Sequence, residues 1–517
     1  MSGDPWLPII YLRGWAGNQA GVEETVDDPF YGFNTGSTHV RVGPDHAPYF
    51  FAFESPVVRL MTDHDYRDAY AAGVQPSDAD EPHADVVRRS IWIFRYYDPT
   101  SRTFDRDTSE RLSIENAATQ LGDFIDGVKR FTGAARVILV GHSTGGLIIR
   151  CLIQKIYLEE EADAGKSERM PALKHVAKVF TYATPHGGIH FDVAGSGFIE
   201  WARDQIGWHN SDDFGRNRMY QYLTPGATRD DKAHADFDPR DLAGAFPPDQ
   251  FFSLIGTNPR DYGLPKHVVG PQSDGLVQID SAYVKNAPRA YVHRSHSGRY
   301  GIVNSEEGYE NMQRFLFGDM RVEIFFDRLD LATGGDSQAF HQAEVQVAVR
   351  GLPVLMHDQM LAHHSAISLE WEEKVQGEPI PLFTLFLMRS RAIDGKTCRY
   401  AIRLAVHRLE QRKGFLFFKN HLEQIPLWTD NLVVDLAESG DRYVGKYVWR
   451  SSANDGEPTH DIDPVEDGDG WRVSLDLPQS AKPVLGDEAQ LLMRASRWNT
   501  PDDGQADATS ERDGVLA

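Results

Sequence analysis

A serine between glycines is the strongest chemical signal in the sequence. Residues 141–145 (GHSTG) lie between a predicted strand at 136–140 and an apolar helical pattern at 146–156. A sharp turn from strand to helix leaves room only for glycine beside the serine, whose hydroxyl then stands above the sheet. The helix N-terminus also directs free amides at developing negative charge. The motif therefore predicts that Ser143 is a nucleophile.

This GHSxGG segment resembles the bacterial lipases and esterases of the α/β-hydrolase fold. In those families an acid and a histidine follow the serine in that order, on loops after later strands. Residues 273–277 (SDGLV) look like the segment that supplies the acid, and residues 294–298 (RSHSG) look like the last loop that bears the histidine. The resemblance implies a catalytic triad of Ser143, Asp274 and His296.

The roles in such a triad follow from the chemistry of the side chains. A serine hydroxyl is a weak nucleophile until a base takes its proton, which His296 can do before returning it to the leaving alcohol. Asp274 would fix the imidazole tautomer and stabilise the imidazolium. Two alternatives stay open at this stage. His293 competes for the role of base, and Asp280 competes for the role of acid, although a surface carboxylate or a helix cap suits Asp280 better.

The resemblance also implies an oxyanion hole built from two backbone amides. Thr144, directly after the nucleophile, supplies the first amide. In residues 13–17 (RGWAG), Gly14 matches the glycine of the family's His-Gly loop, so Trp15 would supply the second. Arg13 departs from the family, in which many members have histidine. Because a backbone amide and not the side chain at position 13 would donate to the oxyanion, we expect the oxyanion hole to be retained despite this change.

Other histidines are weaker candidates. Residues 183–188 (ATPHGG) resemble the Thr-Pro-His-x-Gly segment of lipases, and we expect a structural role for them that does not make His186 catalytic. His357, His363 and His364 cluster in the second half without cysteine or closely spaced carboxylates, so we expect a solvated loop there and no metal site. No cofactor is predicted.

The order of apolar segments must position these residues. Up to about residue 318, short apolar runs alternate with helical patterns, which predicts a mostly parallel sheet with helices on both faces. The helix before the third strand places Leu121, Phe124, Ile125 and Val128 at helical spacing on one buried stripe. The predicted strands span residues 8–12, 90–96, 135–140, 176–182, 251–255 and 289–292.

Two long insertions, at about 18–88 and 189–248, interrupt this pattern. Long insertions in a compact domain often form lids or binding loops. The second insertion carries large apolar side chains in an amphipathic arrangement, which suits a lid over an apolar cleft, although ordinary packing on the core is the alternative. These side chains are Phe191, Phe198, Ile199, Trp201, Ile206 and Trp208.

From residue 319 to 498 the apolar period changes to two, as in Val345, Val347 and Val349, which predicts an all-β sandwich. Its acidic stretch at 454–470 is predicted as a solvated loop, and the tail at 499–517 is too polar to order itself. The predicted strands include 322–326, 366–371, 382–388, 402–406, 431–436, 443–449, 471–475 and 491–495.

Composition limits the classes of function. A chain of 517 residues is too long for one ordinary core, so we expect a catalytic domain at 1–318 and the sandwich after it. A net charge of −23 disfavours nucleic acid as a partner. No apolar run has the length that a membrane-spanning helix needs. Cys151 and Cys398 are far apart in sequence and suggest neither a disulfide framework nor a metal cluster.

The leading hypothesis is a serine hydrolase that cleaves carboxylic esters, with lipid-like acyl esters favoured by the apolar insertion. A phospholipase, a thioesterase or an acyltransferase would need the same triad. A different class of hypothesis makes the β-sandwich a binding module beside a degenerate hydrolase domain. We expect a small-molecule or lipid ester as partner, with peripheral contact to lipid aggregates. No signal peptide is visible, which favours the cytoplasm or export by a non-Sec route.

Overall fold

The structure is a computed structural model, and it divides the chain into two compact units. One unit is Trp6–Met312, and the other contains the chain from Gln313 on. The residues that the structure describes are 6–14, 23, 38–42, 48–52, 55–69, 88–97, 113–189, 214–260, 270–298, 301–331, 339–369, 378–392, 395–412, 421–440, 442–453, 457–468 and 470–499.

The first unit alternates strands and helices. Its strands are β1 (Ile9–Leu12), β2 (Thr38–Val42), β3 (Pro48–Ala52), β4 (Arg67–Asp68), β5 (Ser90–Ile93), β6 (Val137–His142), β7 (Val176–Tyr182), β8 (Phe251–Gly256) and β9 (Arg289–Val292). Its helices are α1 (Pro56–His64), α2 (Ile114–Thr132), α3 (Thr144–Cys151), α4 (Tyr157–Asp163), α5 (Arg216–Leu223) and α6 (Glu306–Phe317), the last of which continues into the second unit. Short 3₁₀ turns span Pro171–Lys174, Pro248–Gln250 and Ile279–Ser281.

Seven strands form a parallel sheet in the order β4-β5-β1-β6-β7-β8-β9. Every residue of β1, β5 and β6 is buried, as the short continuous apolar runs of a sheet covered on both faces require. The serine-bearing turn follows β6, near the centre of the sheet, where β1 and β7 pair with β6 on its two sides. This topology confirms the predicted α/β-hydrolase fold class.

Helix α2 has the signals of a well-defined amphipathic helix. The Ser113 hydroxyl accepts a hydrogen bond from the Asn116 amide at its start, and Gly133 ends it with a φ of 64°. Of the predicted stripe, Leu121, Ile125 and Val128 are buried and Phe124 is half-buried. Tertiary packing of this stripe therefore holds the helix that precedes β6.

The helix predicted at 146–156 differs in detail. Helix α3 begins at Thr144, directly after the serine, and ends at Cys151. Leu152–Ile156 then form a π-helical turn before α4. Such a turn adds one residue to the repeat, which the apolar pattern alone does not reveal.

The second unit is built from antiparallel strands. These are β10 (Met320–Asp327), β11 (Ala339–Val349), β12 (Leu355–Gln359), β13 (Ile367–Ser368), β14 (Ile380–Leu387), β15 (Cys398–Arg412), β16 (His421–Ser439), β17 (Arg442–Trp449), β18 (His460–Ile462), β19 (Val465–Asp467), β20 (Gly470–Asp476) and β21 (Gln490–Arg497). A short helix, α7 (Lys482–Leu485), precedes the last strand.

The strands form two sheets that share one apolar core, as a sandwich does. Their orders are β14-β10-β21-β20-β19 and β12-β11-β15-β16-β17-β18, with β13 paired to β11. Burial alternates residue by residue along β10, and Val345 and Ile402 of the second sheet join Val322 of the first in the core. The predicted period of two therefore reports correctly which side chains face inward.

The acidic stretch at 454–470, predicted as a loop, contains two short strands instead. Strand β18 pairs with β17, and β19 pairs with β20, and each is the last strand of its sheet. Backbone hydrogen bonds on one side hold each of these edge strands, and their side chains are mostly exposed and can be charged, so composition alone misleads there.

The hairpin β2–β3 and the short strand β4 lie within the insertion predicted at 18–88. All of the tail predicted at 499–517, apart from Asn499, lies outside the described residues. Within the described part of the chain, no helix is both long enough and apolar enough to cross a bilayer.

Candidate active site

Ser143 occupies the turn between β6 and α3. Its φ of 55° and ψ of −127° lie outside the regions that L-residues normally adopt. The end of β7 and the segment directly after it hold this conformation, because the Ser143 amide donates to the Tyr182 carbonyl at 2.9 Å and the Thr184 hydroxyl donates to the Ser143 carbonyl at 2.9 Å. The turn is thus fixed by the end of the neighbouring strand β7 as well as by its own sequence.

The glycines of the motif are required by close packing. A Cβ atom at Gly145 would lie 2.6 Å from the Leu12 carbonyl oxygen, and one at Gly141 would lie 2.8 Å from the Gly146 amide nitrogen. Both contacts are with backbone, which cannot move aside without disturbing the sheet. The pattern that predicted a strained turn therefore corresponds to real steric limits at this site.

The structure brings Ser143, His296 and Asp274 together in one chain of hydrogen bonds. His296 Nε2 lies 3.1 Å from Ser143 Oγ, and His296 Nδ1 lies 2.9 Å from Asp274 Oδ2. All three residues are buried. An ionised carboxylate can only accept, so Nδ1 carries the proton and Nε2 is left to accept from the serine hydroxyl. This is the arrangement in which an imidazole can act as a general base toward Ser143.

Asp274 is held by its own loop. Its Oδ1 accepts hydrogen bonds from the amides of Leu276 at 2.9 Å and Val277 at 2.7 Å. Its backbone carbonyl accepts from the His296 amide at 2.9 Å. The second oxygen, Oδ2, is thereby directed at the imidazole, and the two loops that carry Asp274 and His296 are joined by backbone as well as side-chain contacts.

The two alternative residues are placed elsewhere. His293 is exposed, and its Nδ1 lies 3.2 Å from the Thr257 hydroxyl. Asp280 is exposed within the 3₁₀ turn at Ile279–Ser281, where its backbone carbonyl accepts from Arg240. Neither side chain takes part in the hydrogen-bond chain that contains Ser143.

Of the two predicted oxyanion donors, the structure describes one. Thr144 is the first residue of α3, so its amide has no acceptor within the helix. Trp15 lies outside the described residues, but Gly14 before it is described and buried. A Cβ atom at Gly14 would overlap the Ser143 side chain, so this loop passes directly beside Ser143.

Two tyrosines that the sequence analysis did not single out hold the Gly14 loop. The Tyr97 hydroxyl donates to the Gly14 carbonyl at 3.0 Å, and the Tyr96 hydroxyl donates to the Arg13 carbonyl at 3.1 Å. Both tyrosines follow β5, the strand next to β1 in the sheet. No local signal identifies such contacts, because 83 residues separate the partners.

His142, the residue directly before Ser143, supports the histidine loop. Its Nε2 lies 3.0 Å from the His296 carbonyl oxygen, and the two rings are 5.0 Å apart between centroids. Burial, together with the nearby His296, holds the pKa of His142 well below its usual value. A neutral His142 therefore donates its Nε2–H to that carbonyl and adds no positive charge beside Ser143.

An ion pair anchors the same loop from the other side. Arg294 Nε lies 3.0 Å from Glu307 Oε2, and Arg294 Nη2 lies 3.1 Å from Glu307 Oε1. The side chains are only 6% and 13% exposed, so the pair is little screened by solvent. It ties the position two residues before His296 to helix α6.

His186 makes buried contacts that are consistent with the structural role predicted for the segment at 183–188. It is fully buried, its Nε2 lies 3.1 Å from the Thr181 hydroxyl, and its carbonyl accepts from Arg150. Burial, with the nearby Arg150, lowers its pKa well below the usual value. The lid residues predicted between Phe191 and Trp208 all lie outside the described residues.

The remaining candidate ligands stay apart from this site. Cys151 and Cys398 are buried thiols in different units and are not bonded to each other. His357, expected in a solvated loop, is instead buried in β12, where it contacts Gln359, and His363 lies 3.4 Å from Asp358. Among the residues that the structure describes, no three histidine, cysteine or acidic side chains form a group that could hold a metal ion.

Comparison with known proteins agrees with a serine-dependent chemistry for part of the chain. Residues 111–213 match a family described as "Putative serine esterase (DUF676)". The matched segment contains the elbow with Ser143 but neither Asp274 nor His296. A search among curated proteins finds no match.

Two of the solved structures that this chain resembles have low sequence identity to it. One is "the putative cell surface hydrolase from Lactobacillus plantarum WCFS1", which is 15% identical, with 61% of this chain and 91% of that chain covered and a TM-score of 0.25. Another is a gene product of Listeria innocua, which is 13% identical, with 60% and 94% covered and a TM-score of 0.26. Scores this low carry no argument about function.

Proposed function

We propose that the protein is a serine hydrolase that cleaves carboxylic esters through an acyl-serine intermediate. The observation that carries the proposal is the buried chain of two hydrogen bonds from Ser143 through His296 to Asp274, at 3.1 Å and 2.9 Å. It supplies a nucleophile, a base within reach and a carboxylate that sets the tautomer of the base. The match of residues 111–213 to a serine esterase family supports the same chemistry.

In the first half-reaction, Ser143 Oγ attacks the ester carbonyl carbon while His296 Nε2 takes the hydroxyl proton. The carbonyl π-electrons move to oxygen and form a tetrahedral oxyanion. When that intermediate collapses, the bond to the leaving alcohol breaks and the imidazolium returns its proton to the alcohol oxygen. The products of this stage are the free alcohol and the acyl-serine.

In the second half-reaction, water takes the place of the serine hydroxyl. His296 removes a proton from the water as its oxygen attacks the acyl carbon, and the proton then passes to Ser143 Oγ as the acyl bond breaks. The carboxylic acid leaves and the enzyme is restored. Asp274 stabilises the imidazolium in both stages without itself being protonated.

The oxyanion of each intermediate needs donors that are already in place. We propose the amide of Thr144 and that of Trp15 for this role. The Gly14 carbonyl and the amide of the next residue belong to one planar peptide group, so a bond that fixes the carbonyl also fixes the direction of that N–H. Tyr97, which donates to the Gly14 carbonyl, is therefore a positioning residue for the second donor.

We expect Tyr97→Phe to lower kcat by about 3-fold to 10-fold and to leave KM nearly unchanged. The substitution removes one hydrogen bond worth about 0.5–1.5 kcal/mol, and the loosened amide serves the transition state more than the bound ester. Steady-state kinetics on one p-nitrophenyl ester measures both constants.

Tyr96→Phe is the matched control for this substitution. It removes an equivalent bond from the Arg13 carbonyl, whose peptide group ends in the Gly14 amide and not in a proposed oxyanion donor. We expect kcat within about 2-fold of the wild type, because that bond contributes only to loop stability. An equal fall in kcat for both variants would mean that the tyrosines act on stability alone.

For the substrate, we propose an ester with a lipid-like acyl chain, on the basis of the apolar residues predicted between Phe191 and Trp208. We expect kcat/KM to rise with chain length across p-nitrophenyl esters from two to sixteen carbons. Each methylene that enters an apolar cleft contributes about 0.8 kcal/mol of binding at most, so several carbons give a clear trend.

The same assay separates the neighbouring activities. A maximum at two to four carbons would contradict a lipid-like substrate and indicate a small-ester carboxylesterase. Parallel reactions with a phospholipid, an acyl thioester and an added alcohol acceptor, each followed by product analysis, test for a phospholipase, a thioesterase and an acyltransferase. Faster turnover of any of these than of simple carboxylic esters would replace the proposed substrate class.

A further inference from the structure

The β-sandwich unit contains a cavity of about 210 Å³ that is unrelated to the residues around Ser143. It lies at one end of the sandwich, where the chain leaves β14 of the five-stranded sheet and enters β15 of the seven-stranded sheet. Leu387 at the end of β14 and Cys398 at the start of β15 line it, as does Val349 at the end of β11. The cavity therefore opens between the two sheets and not on one face.

The charged side chains of its lining are mostly arginine. Four arginines, Arg314, Arg350, Arg391 and Arg399, line the cavity with a single carboxylate, Asp435. The whole chain carries a net charge of −23, so the excess of basic residues in the cavity lining is opposite in sign to the charge of the chain. A cavity this small with arginines in its lining favours an anion as its occupant.

The one carboxylate is already engaged. Asp435 Oδ1 and Oδ2 accept from Arg399 Nε and Nη2 at 2.7 Å and 2.8 Å, and Glu457 contacts the same guanidinium. Arg350 follows β11, is exposed, and makes no side-chain ion pair within the part of the chain that the structure describes. Its backbone amide donates to the Arg399 carbonyl, which fixes the position from which its side chain extends.

Arg314 gives the cavity a buried cationic wall. It is 3% exposed, on the last turns of helix α6. A guanidinium presents its donors in a planar fork that matches the two oxygens of a carboxylate or the oxygens of a phosphate. The remaining lining includes Val349, Leu387 and Met388, which give the cavity an apolar side.

We propose that this cavity binds a small organic anion, with its carboxylate or phosphate on the arginines and a short apolar substituent against Val349, Leu387 and Met388. The arginines supply recognition of the charge, and the aliphatic wall selects an anion that carries hydrocarbon over an inorganic one. The site is independent of the proposed ester hydrolysis, since all of its residues belong to the second unit.

The test is isothermal titration of the full-length protein at constant ionic strength with hexanoate, inorganic phosphate and 1-hexanol. We expect hexanoate to bind saturably and more tightly than either of the others, since only hexanoate has both the charge and the chain. Arg350→Gln and Arg391→Gln, two exposed positions whose replacement spares the core, should each weaken hexanoate binding by about 10-fold or more.

Arg442→Gln is the matched control, because Arg442 is an exposed arginine of the same unit that does not line the cavity. Its affinity for hexanoate should equal that of the wild type. Hexanoate could also occupy the site around Ser143 as a product, and the difference between Arg350→Gln and Arg442→Gln isolates the sandwich site. Equal affinity and stoichiometry in all four proteins would overturn the proposal. Phosphate or hexanol binding as tightly as hexanoate would overturn the assignment to an organic anion.

Discussion

Ser143→Ala is expected to lower kcat for carboxylic esters by about 10⁴-fold to 10⁶-fold, the loss that follows when a triad nucleophile is removed. Without Oγ no acyl-enzyme can form, and His296 is left to activate water in a site shaped for a serine. The remaining turnover comes from substrate binding and the oxyanion donors. Initial rates on p-nitrophenyl esters measure this effect, with unfolding temperature and circular dichroism recorded on the same preparations.

Ser253→Ala is a matched control for that substitution. Ser253 is also a buried serine of the parallel sheet, on β8, where its hydroxyl accepts from the Val284 amide at 3.3 Å. Its loss should cost stability of about 1 kcal/mol and leave kcat near the wild-type value. If Ser143→Ala kept wild-type turnover, the assignment of the nucleophile would be wrong, whatever the behaviour of the control.

A reagent that labels activated serines gives an independent readout. An organophosphonate should phosphonylate Ser143 in the wild-type protein, and peptide mass spectrometry should place the added mass on the segment that contains it. His296→Ala, which keeps the hydroxyl but removes the base, should slow labelling by a factor comparable to its loss of kcat. Rapid labelling of another serine would place the reactive centre elsewhere.

The elements that carry the candidate site could be read from the sequence because their signals are local. Strands β7 and β9 have the predicted bounds, at Val176–Tyr182 and Arg289–Val292. A buried parallel strand is a short apolar run bounded by turn residues, and nothing distant is needed to recognise it. The glycines beside Ser143 are equally local, because the steric limits they meet come from the turn and its two neighbouring strands.

What surrounds the candidate site could not be predicted in the same way. Tyr97 reaches Gly14 across 83 residues, and Thr184 reaches Ser143 across 41. Arg294 pairs with Glu307 through the packing of α6, not through any spacing typical of a helix or a turn. These contacts depend on where whole elements pack. The sequence around a polar side chain at the end of a strand does not identify its hydrogen-bond partner.

Composition misled most at the edges of the sandwich. The residues around β18 and β19 are acidic and resemble a solvated segment, yet each strand completes a sheet by pairing on one side only. Backbone hydrogen bonds stabilise such strands independently of side-chain type, while the charges discourage pairing with another chain. Edge strands are therefore the elements for which apolar periodicity is least informative.

The second large effect is expected for Asp274→Asn, which should lower kcat by about 10⁴-fold while the fold is retained. The hydrogen bonds of Asp274 determine how an asparagine would sit. The Leu276 and Val277 amides both donate to Oδ1, so the amide oxygen of asparagine must take that position and its NH₂ must face His296.

That NH₂ can only donate, so His296 Nδ1 would have to accept and the ring proton would move to Nε2. An imidazole protonated at Nε2 donates to Ser143 Oγ and cannot take its proton. Steady-state kinetics tests the loss, and Asp280→Asn, at the exposed alternative carboxylate, should stay within about 2-fold of the wild type because surface substitutions cost little. A larger loss at Asp280 than at Asp274 would contradict the assignment of the acid, since only the buried carboxylate can set the tautomer of the base.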